Sequence, residues 1–212
     1  MADIVPLFST PLYVSKEEVT SSDAEYIKNL EYYEMVSNVG WMSEDSYVLE
    51  NSALQSLKNT VQKCIDDYAH EVLQVQDDFE FYITNSWVTV HKEGDFAPTH
   101  DHVNSLLSGV FYINIPEDDE SVIEFYAPSY TNLFALVRPK HKAFNIWNSK
   151  SWFVEPENGT IVLFPSTQAH GTTAMTSSTD KRYCLAFNVF ARGELSDTWQ
   201  DNKASINRLN LK

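Results

Sequence analysis

With 212 residues, the chain is sized for one domain, and its 30 acidic against 15 basic side chains give a net charge of −15. That balance argues against a nucleic-acid or anionic-membrane surface, both of which require a basic face. Aromatic residues are plentiful, with 12 Phe, 11 Tyr and 5 Trp, and the length suffices for a core without covalent staples.

The N-terminus, Met1-Ala2-Asp3-Ile4, lacks the basic-then-apolar order of a secretory signal, and no apolar run approaches the roughly 18 residues of a membrane span. A cytoplasmic location is expected. Ser22-Asp23-Ala24-Glu25 has the pattern of a capping box, and Tyr26, Ile27, Leu30 and Tyr33 then share one helical face. A longer helix is predicted from about Ser52 to Gln74, with Leu54, Leu57, Val61, Ile65, Tyr68 and Val72 as its buried stripe. Cys64 on this helix and Cys184 in a later strand read as small buried hydrophobes rather than a disulfide.

From Phe79 the period changes to two. Phe81, Ile83, Asn85 and Trp87 alternate with Tyr82, Thr84, Ser86 and Val88, and further strands are predicted at Ser108–Ile115, Ser121–Tyr126, Thr160–Phe164 and Arg182–Ala191. Turn-rich pieces such as Pro116-Glu117-Asp118-Asp119 separate them. Short strands at this spacing predict a mainly β fold, an antiparallel barrel or jelly roll flanked by the N-terminal helices. The expected layout is a single domain over 1–212: a helical part to about 78, a β core over about 79–193 and a polar tail over 194–212. Residues 128–158 read as an irregular loop carrying Tyr130, Phe134, Phe144, Trp147, Trp152 and Phe153, with a basic knot at Arg138, Lys140 and Lys142.

Three imidazoles stand out. His100 and His102, at i and i+2 in Thr99-His100-Asp101-His102, point to one side if extended, and His170 follows a distant strand. Three such ligands can close one face of a metal ion and leave the opposite face open, as catalytic metals require. Tyr112, Asn104 and Ser108 share the parity of the histidine pair, and Arg182, Cys184, Ala186 and Asn188 form one face of the last strand. Arg182 with Tyr112 would then make a carboxylate socket, the planar guanidinium holding an anion at two points. Taken singly, each feature has a plainer reading: a solvated loop for His-x-His, a turn for His170, a salt bridge for Arg182. His91, His141 and His70 read as ordinary strand, loop and helix-surface residues, respectively.

The run Asn85-Ser86-Trp87, Gly94, His100-Asp101-His102 and Leu107-Ser108-Gly109-Val110-Phe111-Tyr112-Ile113 resembles the core of the iron(II)- and 2-oxoglutarate-dependent oxygenases. So does its continuation through Glu155-Pro156-Glu157-Asn158-Gly159, Leu163-Phe164-Pro165-Ser166, His170 and Arg182 to Asn188. More narrowly, with Pro6-Leu7-Phe8-Ser9-Thr10-Pro11, it resembles an oxygenase group common in marine bacteria and their tailed phages. The resemblance implies a double-stranded β-helix, iron at His100, His102 and His170, cosubstrate carboxylate binding at Arg182 with Tyr112, and Asn188 at the wall beside the metal. It further implies Fe(II) and 2-oxoglutarate as cofactors, dioxygen as co-reactant, and hydroxylation of a small-molecule or peptide substrate in a bacterial or phage-infected cytoplasm. Most of the superfamily has His-x-Asp where this chain has His102, so the site carries one more positive charge than usual.

Two alternatives use the same residues. A three-histidine zinc hydroxide would serve hydrolysis or hydration. A non-catalytic jelly-roll module, such as a phage component, would leave the histidines idle. Exposed aromatics would suit a homodimer.

Overall fold

The computed structural model describes residues 3–6, 9–77, 79–128 and 139–193. In chain order the elements are β1 (Tyr13–Lys16), α1 (Ser21–Lys28), β2 (Tyr32–Glu34), β3 (Trp41–Ser43), α2 (Gln55–Asp66), β4 (Glu80–His91), β5 (Leu107–Asn114), β6 (Ile123–Tyr126), β7 (Ser151–Val154), β8 (Thr160–Pro165), β9 (His170–Thr172) and β10 (Arg182–Arg192). Seven strands form one sheet in the order β1-β8-β5-β10-β4-β3-β2, and β7-β6-β9 form a smaller one. Every pairing within the two sheets is antiparallel, the architecture of the expected jelly roll.

The long strands lie where alternation put them. Because successive side chains leave a strand on opposite faces, β10 serves two cores at once. Leu185, Phe187 and Val189 join Phe111, Leu163 and Val88 under the helices, while Cys184 joins Tyr112, Val162, Phe164, Ile123 and Phe125 between the two sheets. The second core holds the functional face.

The N-terminal part departs from an all-helical reading, since β1, β2 and β3 extend the large sheet at both edges. Helix α1 is capped two residues earlier than expected: the Thr20 hydroxyl accepts from the Asp23 amide at 3.1 Å and donates to the Asp23 carboxylate at 2.7 Å. It stops at Lys28, so Leu30 lies beyond it and Tyr33 is in β2. The stripe of α2 is buried from Leu54 to Tyr68, yet Val72 is exposed. Residues Asp67–Val72 form a π-helical turn, closed by the Leu73 amide on the Tyr68 carbonyl, and its wider pitch carries Val72 off the core face.

Within 128–158 the strand β7 emerges, with Trp152 and Phe153 about half exposed. Lys140 and Lys142 are exposed, whereas Tyr130, Phe134, Arg138 and the tail lie outside the described residues. Both cysteines are buried and unpaired with each other. Among the described residues, no helix is long and apolar enough to cross a membrane.

Gly109 on β5 lies between its register partners Phe187 on β10 and Leu163 on β8, whose side chains close over it: a Cβ there would stand 2.3 Å from Phe187 Cζ and 2.6 Å from Leu163 Cδ2. Gly109→Ala is therefore expected to cost about 1–3 kcal/mol through overpacking. Urea unfolding of the two proteins measures this; equal midpoints would contradict the packing described.

Candidate metal centre

His100 and His102 lie in the loop between β4 and β5, ahead of the strand as expected. Asn104 at φ 65° breaks any continuous alternation toward β5. What aligns the pair is the loop's attachment to the strand carrying the third histidine. His100 and His170 exchange both backbone hydrogen bonds at 2.9 Å, the His102 amide donates to the Ser166 carbonyl at 2.9 Å, and the Thr172 amide donates to the Ala97 carbonyl at 3.0 Å. Gly171 allows this approach, because a Cβ there would lie 2.9 Å from the Ala97 carbonyl oxygen.

The three rings consequently converge. One ligand nitrogen from each of His100, His102 and His170 lies within 4.8 Å of the others. His100 Nδ1 is 2.7 Å from the Pro98 carbonyl, His170 Nδ1 2.9 Å from the Gln168 carbonyl, and His102 Nδ1 2.6 Å from Asn188 Oδ1. Each acceptor places the proton on Nδ1 and leaves Nε2 with a lone pair directed inward. The Nε2 atoms of His100 and His102 stand 3.1 Å apart. Two facing lone pairs repel, and a shared cation removes that repulsion. Adjacent nitrogens on one first-row metal stand about 3 Å apart, so this spacing fits an ion.

Burial lowers the proton affinity of His102, and it lowers His170 to about 4, the neighbouring imidazoles adding to both effects. Both rings are thus neutral at physiological pH, the form that ligates metal. Phe125 and Phe164 line His170, and Trp87 lies against His102 with ring centroids 6.2 Å apart. Asp101 is exposed and outside the convergent set, though its charge acts on His102 and His170.

Asn188, expected at the wall beside the metal, meets the ring of His102. Its Oδ1 also accepts from Ser108 Oγ at 2.9 Å, and hydroxyl contacts continue from Ser108 to Ser166 at 2.8 Å and from Ser166 to Ser105 at 2.9 Å. Sequence reasoning placed Ser108 on the site's side but assigned no role to Ser166 or Ser105.

Arg182 sits further along the same face of β10, only 1% exposed, near enough for its charge to act on Tyr112 and Cys184. Tyr112 is fully buried, and burial pushes its hydroxyl well above the usual phenol range. The Arg182 Nη1 reaches Ser121 Oγ and, at 3.4 Å, Asp119 Oδ2, while Nη2 donates to His91 Nδ1 at 2.6 Å. Its Nε is buried with no partner. That orphaned N–H is what an entering carboxylate would satisfy, so the donor set fits an anionic cosubstrate. His91, expected to be an ordinary strand residue, and Asp119, read within a turn, are partners of this guanidinium.

Residues 85–188 match the model of the family described as "Putative 2OG-Fe(II) oxygenase". Over that stretch, which holds the whole candidate centre, the chain matches the 2-oxoglutarate- and iron(II)-dependent oxygenases. No curated protein matches it. Solved structures share the fold at low identity. SnoK, a non-heme alpha ketoglutarate dependent carbocyclase from nogalamycin biosynthesis, is 12% identical with a TM-score of 0.57, over 96% of this chain and 90% of that one. HygX from Streptomyces hygroscopicus, solved with nickel, 2-oxoglutarate and hygromycin B, is 12% identical with a TM-score of 0.57, over 85% and 82%. A Pseudomonas putida prolyl-4-hydroxylase is 12% identical with a TM-score of 0.52, over 85% and 93%. The oxygenase is thus an enzyme whose cofactors are Fe(II) and 2-oxoglutarate and which uses dioxygen and a substrate.

Burial, followed by the Arg182 charge, lowers His91 to about 3. The unfolded chain protonates this ring near pH 6.5, whereas the native state does not, so its contribution is complete above 6.5 and lost as pH falls toward 3. His91→Gln should therefore flatten part of the stability loss between pH 6.5 and 4.5. Metal-free urea unfolding at several pH values tests this, and an unchanged slope would contradict it.

Proposed function

We propose that His100, His102 and His170 hold Fe(II) through Nε2, that Arg182 with Tyr112 receives the far carboxylate of 2-oxoglutarate, and that the enzyme hydroxylates a C–H bond of its substrate. The reaction consumes one dioxygen, placing one oxygen atom in the alcohol and one in succinate as carbon dioxide leaves. Iron and its cosubstrate supply the oxidising chemistry. The carrying observation is the geometry of three imidazoles whose Nδ1 atoms are all tied to protein oxygens, leaving three Nε2 lone pairs on one face.

The residues divide the work. Pro98, Gln168 and Asn188 fix ring orientation, Phe125 and Phe164 shield the ring of His170 and Trp87 that of His102, and Arg182 orients the cosubstrate. A zinc-hydroxide reading accounts for the histidines but leaves Arg182 with an orphaned Nε. It is also not the chemistry of the family.

Anaerobic addition of Fe(II) and 2-oxoglutarate should produce a weak visible charge-transfer band, and admission of air should release succinate. His170→Ala should abolish both. Asn188→Ala, which leaves all three ligands in place, should weaken metal binding by roughly 10–100-fold. Absence of the band in the parent protein, or full metal affinity in His170→Ala, would overturn this assignment.

A further inference from the structure

Asp119 is the one carboxylate in contact with the buried guanidinium among the described residues, and its side chain is 1% exposed. It closes the turn between β5 and β6, where it accepts from the Ser121 amide at 3.1 Å, the Ser121 hydroxyl at 2.8 Å, the Thr176 amide at 3.1 Å and the Thr176 hydroxyl at 3.3 Å. Burial would raise this carboxyl, but those donors and the Arg182 charge outweigh it and hold it below the usual carboxylate range. Asp119 is thus an anion fixed by its own turn and by Thr176 of the β9–β10 loop, independently of Arg182.

Its contact with Arg182 is a poor ion pair in hydrogen-bonding terms. One donor, Nη1, reaches one oxygen at 3.4 Å, whereas a fork-to-fork pair uses two donors at shorter range. Asp119 therefore neutralises the guanidinium without occupying it. His91 accepts from Nη2 as a neutral ring and cannot balance charge, and Nε remains unclaimed.

We propose that Asp119 is a built-in counter-ion to the cosubstrate anchor, and that it sets how strongly the site prefers a 2-oxo dicarboxylate to a 2-oxo monocarboxylate. The proposal rests on the reading of Arg182 given above. Three neutral imidazoles leave the two charges of Fe(II) unreduced by any ligand. The cosubstrate dianion and Asp119 then match iron and Arg182 charge for charge. The cosubstrate's far carboxylate must consequently approach a cation that already has an anion beside it, and like charges in a buried site repel strongly.

Calorimetric titration with Mn(II) in place of iron, comparing 2-oxoglutarate with 2-oxopentanoate, tests this. Asp119→Asn should raise the preference for the dicarboxylate by about tenfold or more over the parent protein. It should also lower the melting temperature of the unliganded protein, with bound 2-oxoglutarate restoring much of the loss. Asp119→Ser, smaller and still able to accept from the Thr176 and Ser121 amides, reads the same ratio should the first variant fail to fold. Arg182→Met should erase the preference. If Arg182→Met erases it while the Asp119 variants leave it unchanged or reduced, the counter-ion role is wrong and the anchor stands. If Arg182→Met leaves the preference intact, the anchor itself is wrong and the proposal falls with it.

Discussion

The pair of backbone hydrogen bonds between His100 and His170 is the constraint on which the rest of the site depends. A loop between two strands has no regular ladder to fix its side chains, and two histidines on such a loop would ordinarily sample many orientations. Pairing His100 directly with the first residue of β9 converts the loop into a local extension of the small sheet. Gly171 makes the contact possible, since a larger residue would push against the backbone at Ala97 and Thr99. Ring orientation is then completed by three separate oxygen acceptors, each from a different segment.

Charge is arranged as deliberately as geometry. Burial keeps the His102 and His170 rings neutral at one end of this face, and Asp119 stands beside the buried Arg182 guanidinium at the other, so the buried cation has a counter-charge. The serine chain from Ser108 to Ser105 carries the support of His102 outward to the carbonyls of Leu107 and Val189, so that the second histidine is braced by β5, β8 and β10 together.

The long strands were legible because apolar runs of this length, alternating in β4 and bounded by turn-rich pieces around β5 and β10, match strands rather than a helical face, and Tyr112, Cys184 and Arg182 fall on the inner face that parity gave them. Strands β2, β3 and β9 were not, because three residues carry no period and owe their conformation to the strand beside them. The parity linking His102 to Ser108 and Tyr112 reached a sound grouping by an unsound route, since Asn104 interrupts the strand. Arg182 combines two readings that seemed exclusive: it is a salt-bridge partner and it retains an unclaimed donor. Nothing local marks His91 or Asp119 as its partners, because the contacts join positions far apart in sequence. The acidic character of Pro116-Glu117-Asp118-Asp119 is that of a solvated turn, and only the fold turns Asp119 inward.

A crystal structure of the protein soaked anaerobically with Fe(II) and 2-oxoglutarate tests the central claim most directly. The account predicts one iron bound by Nε2 of His100, His102 and His170, with the far carboxylate of the cosubstrate on Arg182. Iron held by Asp101 in place of any of these rings, or a cosubstrate whose carboxylate lies away from Arg182, would contradict it.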